Sequence, residues 1–458
     1  MQYRSALLFL GSFGLFGAVA ACARADVDGG VPGAGRLPAT PATPAARESE
    51  PRAGGVGSGG DEDEASAGEG ASTTSMSAPV GHLEHPGRLA SYFARLADLE
   101  RHSATADVRV VQLGDSHTAS DYETSVIRAK LAARFGDGGR GFLGIGEPHK
   151  RQFQAGESMA RSTGFEAVEA ARPGRARAAL GLYGPFGVAM DARQGPATTS
   201  SELTASADHV ELAFLVQPGG GTVEIKIDGK SHGRFSTRGG EQAPGFHTFD
   251  VTRGPHLLEL KTAGDGPVRM FGMRLEDDAV GTTWDALGMN GAKAPALLAS
   301  EPAHLALQLA HVAPALVVLA YGTNEAGDPG DTPEEHERAL RALAELTKRA
   351  APQASCLLLG PPDRGAPTLA KLGPMIAAQR RAADAVGCAF YDQLAAMGGP
   401  GTIARWSRET PPRARRDHVH MTRAGYAELA ELFVRDLVAA YVESGAARRP
   451  AAFATRAR

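Results

Sequence analysis

The sequence has little cysteine, little net charge and few aromatic rings. Three cysteines in 458 residues exclude a disulfide-built scaffold and a cysteine-rich zinc module. Lysine and arginine number 48 against 52 aspartates and glutamates, a formal net charge of −4. That balance argues against a general nucleic-acid binder, which needs a large positive field. Past the N-terminus no apolar run reaches the roughly 18 residues of a membrane-spanning helix. No repeat of about 20–50 residues is visible, which argues against a solenoid or propeller. What is present is a chain 43% hydrophobic and 22% charged, long enough for two or three domains with a real core.

Residues 1–21 read as a secretory signal, with Arg4 as a thin positive start and an apolar run over 6–20 that is short for spanning a bilayer. The string Val19-Ala20-Ala21-Cys22 resembles a bacterial lipobox, which implies cleavage before Cys22 and lipid on its thiol. The alternative is an ordinary signal peptide followed by a chance cysteine. Acyl chains would hold the mature protein at a membrane surface, since each buried methylene contributes about 0.8 kcal/mol. Residues 22–83 carry Pro-Ala-Thr and Gly-Ser runs, an acidic Asp61-Glu62-Asp63-Glu64 run and no aromatic ring. Such a segment buries too little surface to offset its chain entropy, so it is expected to be a disordered tether. The arginine-containing end, 446–458, is expected to fray.

The folded body shows two patterns. Leu89, Tyr92, Phe93, Leu96 and Leu99 recur at helical spacing, and an apolar strand over 108–113 ends in Gly114-Asp115-Ser116-His117 before a helix from about Tyr122. The same alternation returns after 285. The run ALVVLA at 315–320 has the continuous apolar character of a buried parallel strand. Thr332-Pro333-Glu334-Glu335 supplies a helix start and a capping-box glutamate. Strands over 356–359 and 388–391, a helix over 369–386 and a final helix over 422–442 complete the set. Between these parts, 165–280 reads as alternating strands separated by glycine-rich turns. The expected architecture is one α/β domain in two pieces, 84–164 and 281–445, with an all-β sandwich inserted over 165–280.

Four short blocks carry chemistry. Ser116 stands at the carboxyl end of a strand, where open α/β sheets place their sites. A serine hydroxyl needs a base beside it, and Asp417-His418-Val419-His420 can provide an imidazole oriented by a carboxylate. Asn290-Gly291 and Gly322-Thr323-Asn324 can provide N–H donors for a developing oxyanion. Each block has a plainer reading: a turn serine, a turn glycine, a loop asparagine, a helix-start aspartate with a surface histidine. One carboxylate and two histidines make an incomplete metal site, so no metal and no cofactor are expected.

In this order the four blocks resemble the SGNH or GDSL hydrolases over about 105–150 and 285–440. The resemblance implies a flavodoxin-like three-layer parallel sheet. It implies Ser116 as nucleophile, His420 as base and Asp417 as its orienting carboxylate. It also implies an oxyanion hole of the Ser116 and Gly291 amides and the Asn324 side chain. His117 and Glu325 depart from the usual pattern, in which leucine or isoleucine and aspartate are frequent. The longer strings Arg134-Phe135-Gly136-Asp137-Gly138-Gly139 and Ala396-Met397-Gly398-Gly399, with the β insertion, resemble peptidoglycan O-acetylesterases, whose inserted β domain is like a carbohydrate-binding module. That implies an esterase of the cell envelope, facing periplasm or exterior, acting on an acetylated glycan and held to the membrane through Cys22, with no nucleic-acid partner. A lipase or thioesterase on the same fold and an inert glycan-binding protein are the alternatives. The insertion shows no aromatic sugar platform, with Trp284 at its end and Trp406 outside it. Arg413, Arg415 and Arg416 precede Asp417 and could attract an anionic polymer or form a solvated loop. Cys356 and Cys388 could pair outside the cytoplasm or remain separate core thiols.

Overall fold

The apolar runs of the two α/β pieces become neighbouring strands of one sheet. The computed structural model describes residues 78–146, 153–170, 179–193, 195–365 and 369–447. The signal, Cys22, most of the tether and 448–458 lie outside the described residues. The sheet order is Leu83–Glu84, Ala389–Tyr391, Ser355–Leu359, Leu316–Ala320, Val108–Gly114 and Thr282–Gly288. All pair in parallel except the first, an antiparallel edge.

Side chains alternate across each strand, so both faces are apolar. Val108 and Val110, with Leu316 and Val318, pack against Tyr92, Phe93, Ile127, Phe433 and Leu437. Val111 and Leu113, with Val317 and Leu319, pack against Leu305, Leu340, Leu343 and Met375. Helices thus cover both faces, giving a three-layer α/β arrangement. The Pro333–Ala350 helix begins as expected: Thr332 Oγ1 accepts the Glu335 N–H at 3.2 Å, and the Glu335 carboxylate accepts the Thr332 N–H at 3.3 Å.

The folded body begins earlier than expected. Val80 and Leu83 are buried, and Leu83–Glu84 extends the sheet, because two apolar side chains find a place beside Tyr391 and Phe433. The Thr282–Gly288 strand lies at the expected boundary between β insertion and α/β piece, yet runs parallel to Val108–Gly114 as the far edge of the sheet. Trp284 is buried there, its Nε1–H donating to Gln112 Oε1 at 2.9 Å.

Two antiparallel sheets occupy the middle of the chain. Leu203, Val223, Ile225, Leu258 and Leu260 of one join Met190, Leu212, Met270 and Met273 of the other in a single buried cluster. Antiparallel pairing starts before residue 165: Gly141–Leu143 pairs with Val268–Glu276, and Glu157–Thr163 pairs with Thr198–Leu203. Asp285, on the parallel sheet, accepts the Phe142 N–H at 2.8 Å and pairs with Arg274 at 2.6 Å. Those bonds join one antiparallel sheet to the strand beside the Ser116 strand.

Cys356 and Cys388 form a disulfide with Cα atoms 4.7 Å apart. It joins neighbouring parallel strands at their starting ends, so the open alternative of the sequence resolves to a bridge.

Candidate active site

Ser116 opens the short Ser116–Ala119 helix directly after the Val108–Gly114 strand. Gly114 has no room for a side chain, since a Cβ would stand 2.7 Å from the Ala320 carbonyl oxygen. Asp115 caps the turn, its carboxylate accepting the His117 N–H at 2.9 Å. The Ser116 N–H, at the first helical position, has no intrahelical acceptor. Burial pushes the Asp115 carboxyl up to about 7, against the lowering effect of the His117 N–H.

The base arrives from the far end of the chain. Asp417 Oδ1 accepts the N–H groups of Val419 and His420, both at 2.9 Å, which folds the 417–420 loop around the carboxylate. Its Oδ2 lies 2.9 Å from His420 Nδ1. Burial raises the Asp417 pKa, but the His420 and Val419 N–H groups and the imidazole outweigh it and hold the carboxyl below its ordinary range. With Asp417 ionised, Nδ1 carries the proton it donates to Oδ2. The Nε2 lone pair then faces Ser116 Oγ at 2.9 Å. The hydroxyl, imidazole and carboxylate form one continuous relay.

The two glycine–asparagine blocks meet beside it. The Ala292 N–H donates to the Met289 carbonyl at 3.0 Å, closing a turn in which Gly291 has φ +75°. That value suits glycine; a Cβ there would meet open space. Met289 N–H donates to the Gly114 carbonyl at 3.0 Å, which pins the turn to the nucleophile strand. Asn324 follows the Leu316–Ala320 strand and donates from Nδ2 to the Ala292 carbonyl at 2.9 Å, with a longer 3.5 Å contact to Asp115. Glu325 is buried and accepts the Ala294 N–H at 2.8 Å and the Gly322 N–H at 3.1 Å. Its longer side chain thus braces both loops.

Ser116, Asp417 and His420 are therefore brought together, and Asn324 is tied to the Gly291 turn. His418, with φ +52°, turns away and lies 3.1 Å from Ser407 Oγ. Among the described residues no group of three or more histidine, cysteine or acidic side chains is placed to hold a metal ion. Arg413 is committed to Glu409 at 2.7 Å and lies over the Trp406 ring.

Sequence reasoning singled out Asn290 and Arg415 but missed the aromatic walls of the site. Tyr122, Phe153, Asn290, Arg415 and Tyr426 line a cavity of about 130 Å³ that also exposes Ser116 and His420. A larger groove of about 710 Å³ along Lys130, Val438 and Val442 holds none of these groups. The Tyr122 and Phe153 rings are stacked, 4.7 Å apart and 18° from parallel. His117 is buried, with Nδ1 2.9 Å from Tyr426 Oη. Burial, then the neighbouring His420, pushes its pKa down to about 3, so it stays neutral. The departure at His117 therefore builds the wall by holding Tyr426. No local pattern announces these contacts, because their partners come from distant segments.

Residues 251–428 match the GDSL-like lipase/acylhydrolase family. Over that stretch the chain is similar to this family. The matched stretch contains Gly291, Asn324, Asp417 and His420 but begins after Ser116, which the fold returns to it. Most of the chain resembles a solved structure in its fold. Its fold is similar to that of a peptidoglycan O-acetylesterase, with 24% identity over 77% of this chain and 96% of the other, at a TM-score of 0.62. A family two carbohydrate esterase from Clostridium thermocellum in complex with cellohexaose is 12% identical over 54% of this chain and 93% of its own, and superposes loosely at a TM-score of 0.29. A lipase/acylhydrolase from Enterococcus faecalis is 20% identical over 38% and 81% of the two chains, at 0.28. No curated protein matches the chain.

Proposed function

We propose that the protein removes O-acetyl groups from a carbohydrate such as peptidoglycan, using Ser116, His420 and Asp417. The observation that carries this reading is the 2.9 Å and 2.9 Å relay opening onto a cavity of only about 130 Å³. That space suits a small acyl group; sites for drug-sized ligands run to about 300–1,000 Å³. The stacked Tyr122 and Phe153 beside it supply an apolar face of the kind a sugar ring can lie on.

Ser116 Oγ attacks the ester carbonyl as its proton passes to His420 Nε2. Asp417 stabilises the imidazolium. The Ser116 and Gly291 amides receive the oxyanion, together with the Asn324 Nδ2 N–H that exchanges its long 3.5 Å contact with Asp115 for it. The imidazolium returns its proton to the sugar oxygen, the C–O bond breaks, and the alcohol leaves an acetyl-serine. Water then attacks that ester with His420 as base and releases acetate.

We also read the two antiparallel sheets as a sandwich inserted into the hydrolase domain. In this reading the protein is anchored in the cell envelope through lipid on Cys22. The Val19-Ala20-Ala21-Cys22 string supports anchoring, and the Cys356–Cys388 bridge suits an oxidising compartment. Acetate release from O-acetylated peptidoglycan and acetylated xylan, against long-chain acyl esters and thioesters, tests the substrate class. Preference for the long chains overturns it. Loss of detergent-phase partitioning in Cys22→Ala tests the anchor.

A further inference from the structure

Among the described residues, the catalytic cavity has on one side an arginine without an ion-pair partner, and a second such arginine packs on its ring wall. Arg415 lines it. The Arg415 N–H donates to the His420 carbonyl at 2.8 Å, and Ala414 bridges to Met421. Its backbone is therefore held in register with the base. Arg423, in the first turn of the Arg423–Glu443 helix, places its guanidinium 5.1 Å from the Tyr122 ring centroid and 4.9 Å from that of Phe153. Both side chains belong to exposed residues. Among the described residues, neither Arg415 nor Arg423 has a carboxylate within ion-pair distance, whereas neighbouring Arg413 is paired with Glu409. Arg423 also sits at the positive end of its helix, where a cation is unfavourable. Arg415 is thus kept in the same cavity as a histidine that must itself become positive during the reaction, and Arg423 on the ring pair that walls it.

The loop carrying Phe153 is held in place from below. Buried Asp121 accepts the Ala155 N–H at 2.9 Å while pairing with Arg140 at 2.8 Å and Arg128 at 3.0 Å. Tyr122 follows Asp121 directly, so one carboxylate fixes both halves of the ring pair.

We propose that Arg415 and Arg423 select acetylated sugars that carry a carboxylate. The sugar ring lies along Tyr122 and Phe153, and its carboxylate meets the two guanidinium groups. This inference rests on the glycan-esterase reading above and adds the charge of the substrate to it. A guanidinium binds a carboxylate by charge-assisted hydrogen bonds, and the anion offsets the charge that develops on His420.

The test compares 6-O-acetyl-N-acetylmuramic acid with its carboxamide, which keeps the sugar and its size but removes the negative charge. For the unaltered enzyme, kcat/KM for the acid is expected to exceed that for the amide by about tenfold or more, the effect of one good charge-assisted contact. Rising salt should narrow the gap. In the Arg415→Gln, Arg423→Gln double variant the ratio should fall to within about twofold, and Arg415→Glu should invert it. Equal rates on acid and amide in the unaltered enzyme overturn the inference, as does a ratio unmoved by the substitutions. Cleavage of 4-nitrophenyl acetate but neither sugar overturns the glycan reading and this inference together.

Discussion

Arg274 and Asp285 form an ion pair of 2.6 Å with both side chains buried, one on an antiparallel sheet and the other on the edge of the parallel sheet. Asp285 Oδ1 also accepts the Phe142 N–H at 2.8 Å. Removing one member of such a pair leaves a buried charge without a partner and costs about 3–5 kcal/mol. Asp285→Ala should therefore lower stability by that amount in urea denaturation. The Arg274→Met, Asp285→Leu double variant should recover much of it, because an apolar replacement leaves neither charge stranded. Equal stability of the single and double variants would show that the pair's charge is immaterial.

The Ser116–His420–Asp417 relay predicts unequal losses. Ser116→Ala and His420→Ala should each lower kcat by several orders of magnitude on a small acetyl ester, because nucleophile and base act in one step. Asp417→Asn should lose less. Asn324→Ala should cost about 2.7–4 kcal/mol of transition-state stabilisation, read mainly in kcat. It should also lower the melting temperature slightly, since its 2.9 Å bond to Ala292 is lost. Steady-state kinetics with thermal melts separate these outcomes. Near-normal turnover by folded Ser116→Ala would end the mechanism.

Glu123 gives a pH dependence with a defined sign. It is buried with Gln393 Nε2 2.5 Å from Oε1, and burial pushes its pKa from 4.5 up to about 8. Between those values the folded protein keeps a proton that the unfolded chain releases, so stability falls as pH rises. Glu123→Gln keeps an acceptor for Gln393 and removes the titration. It should raise the melting temperature at pH 8 by a few degrees, on the order of 1 kcal/mol or more, and change little at pH 4. Melting curves across that range check it. An equal shift at both ends would assign the effect to packing.

The Cys356–Cys388 bridge closes a separation of 32 residues. A loop of that length is worth about 2–4 kcal/mol in the chain-entropy account. Replacing both cysteines with alanine should lower stability by about that amount, and reductant should then have no further effect. Denaturation with and without dithiothreitol measures both. Full stability of the variant would mean that the surrounding strands alone hold this edge.

The three side chains of the relay were legible because each sits at a local signal. Gly114-Asp115-Ser116 ends an apolar run, and Asp417 and His420 lie three apart before a helix. The central strands were legible because burial on both faces makes them continuously apolar, as at 315–320. Thr282–Gly288 was obscured because an edge strand mixes polar and apolar residues, and Trp284 read as the end of a β insertion. The early strands at 141–143 and 157–163 are too short or too exposed to show a period. Tyr122, Phe153 and Tyr426 converge from separate segments, and nothing in their local spacing encodes that meeting.

Ser116 and His420 are separated by 304 positions in the chain, with both antiparallel sheets between them. A growing polypeptide therefore presents Ser116 long before His420. Until the Arg423–Glu443 helix docks against Tyr122–Phe135, the serine has no imidazole beside it and is an ordinary alcohol. On the proposed mechanism, ester cleavage begins only when that helix is in place, and the appearance of turnover during synthesis or refolding times its docking.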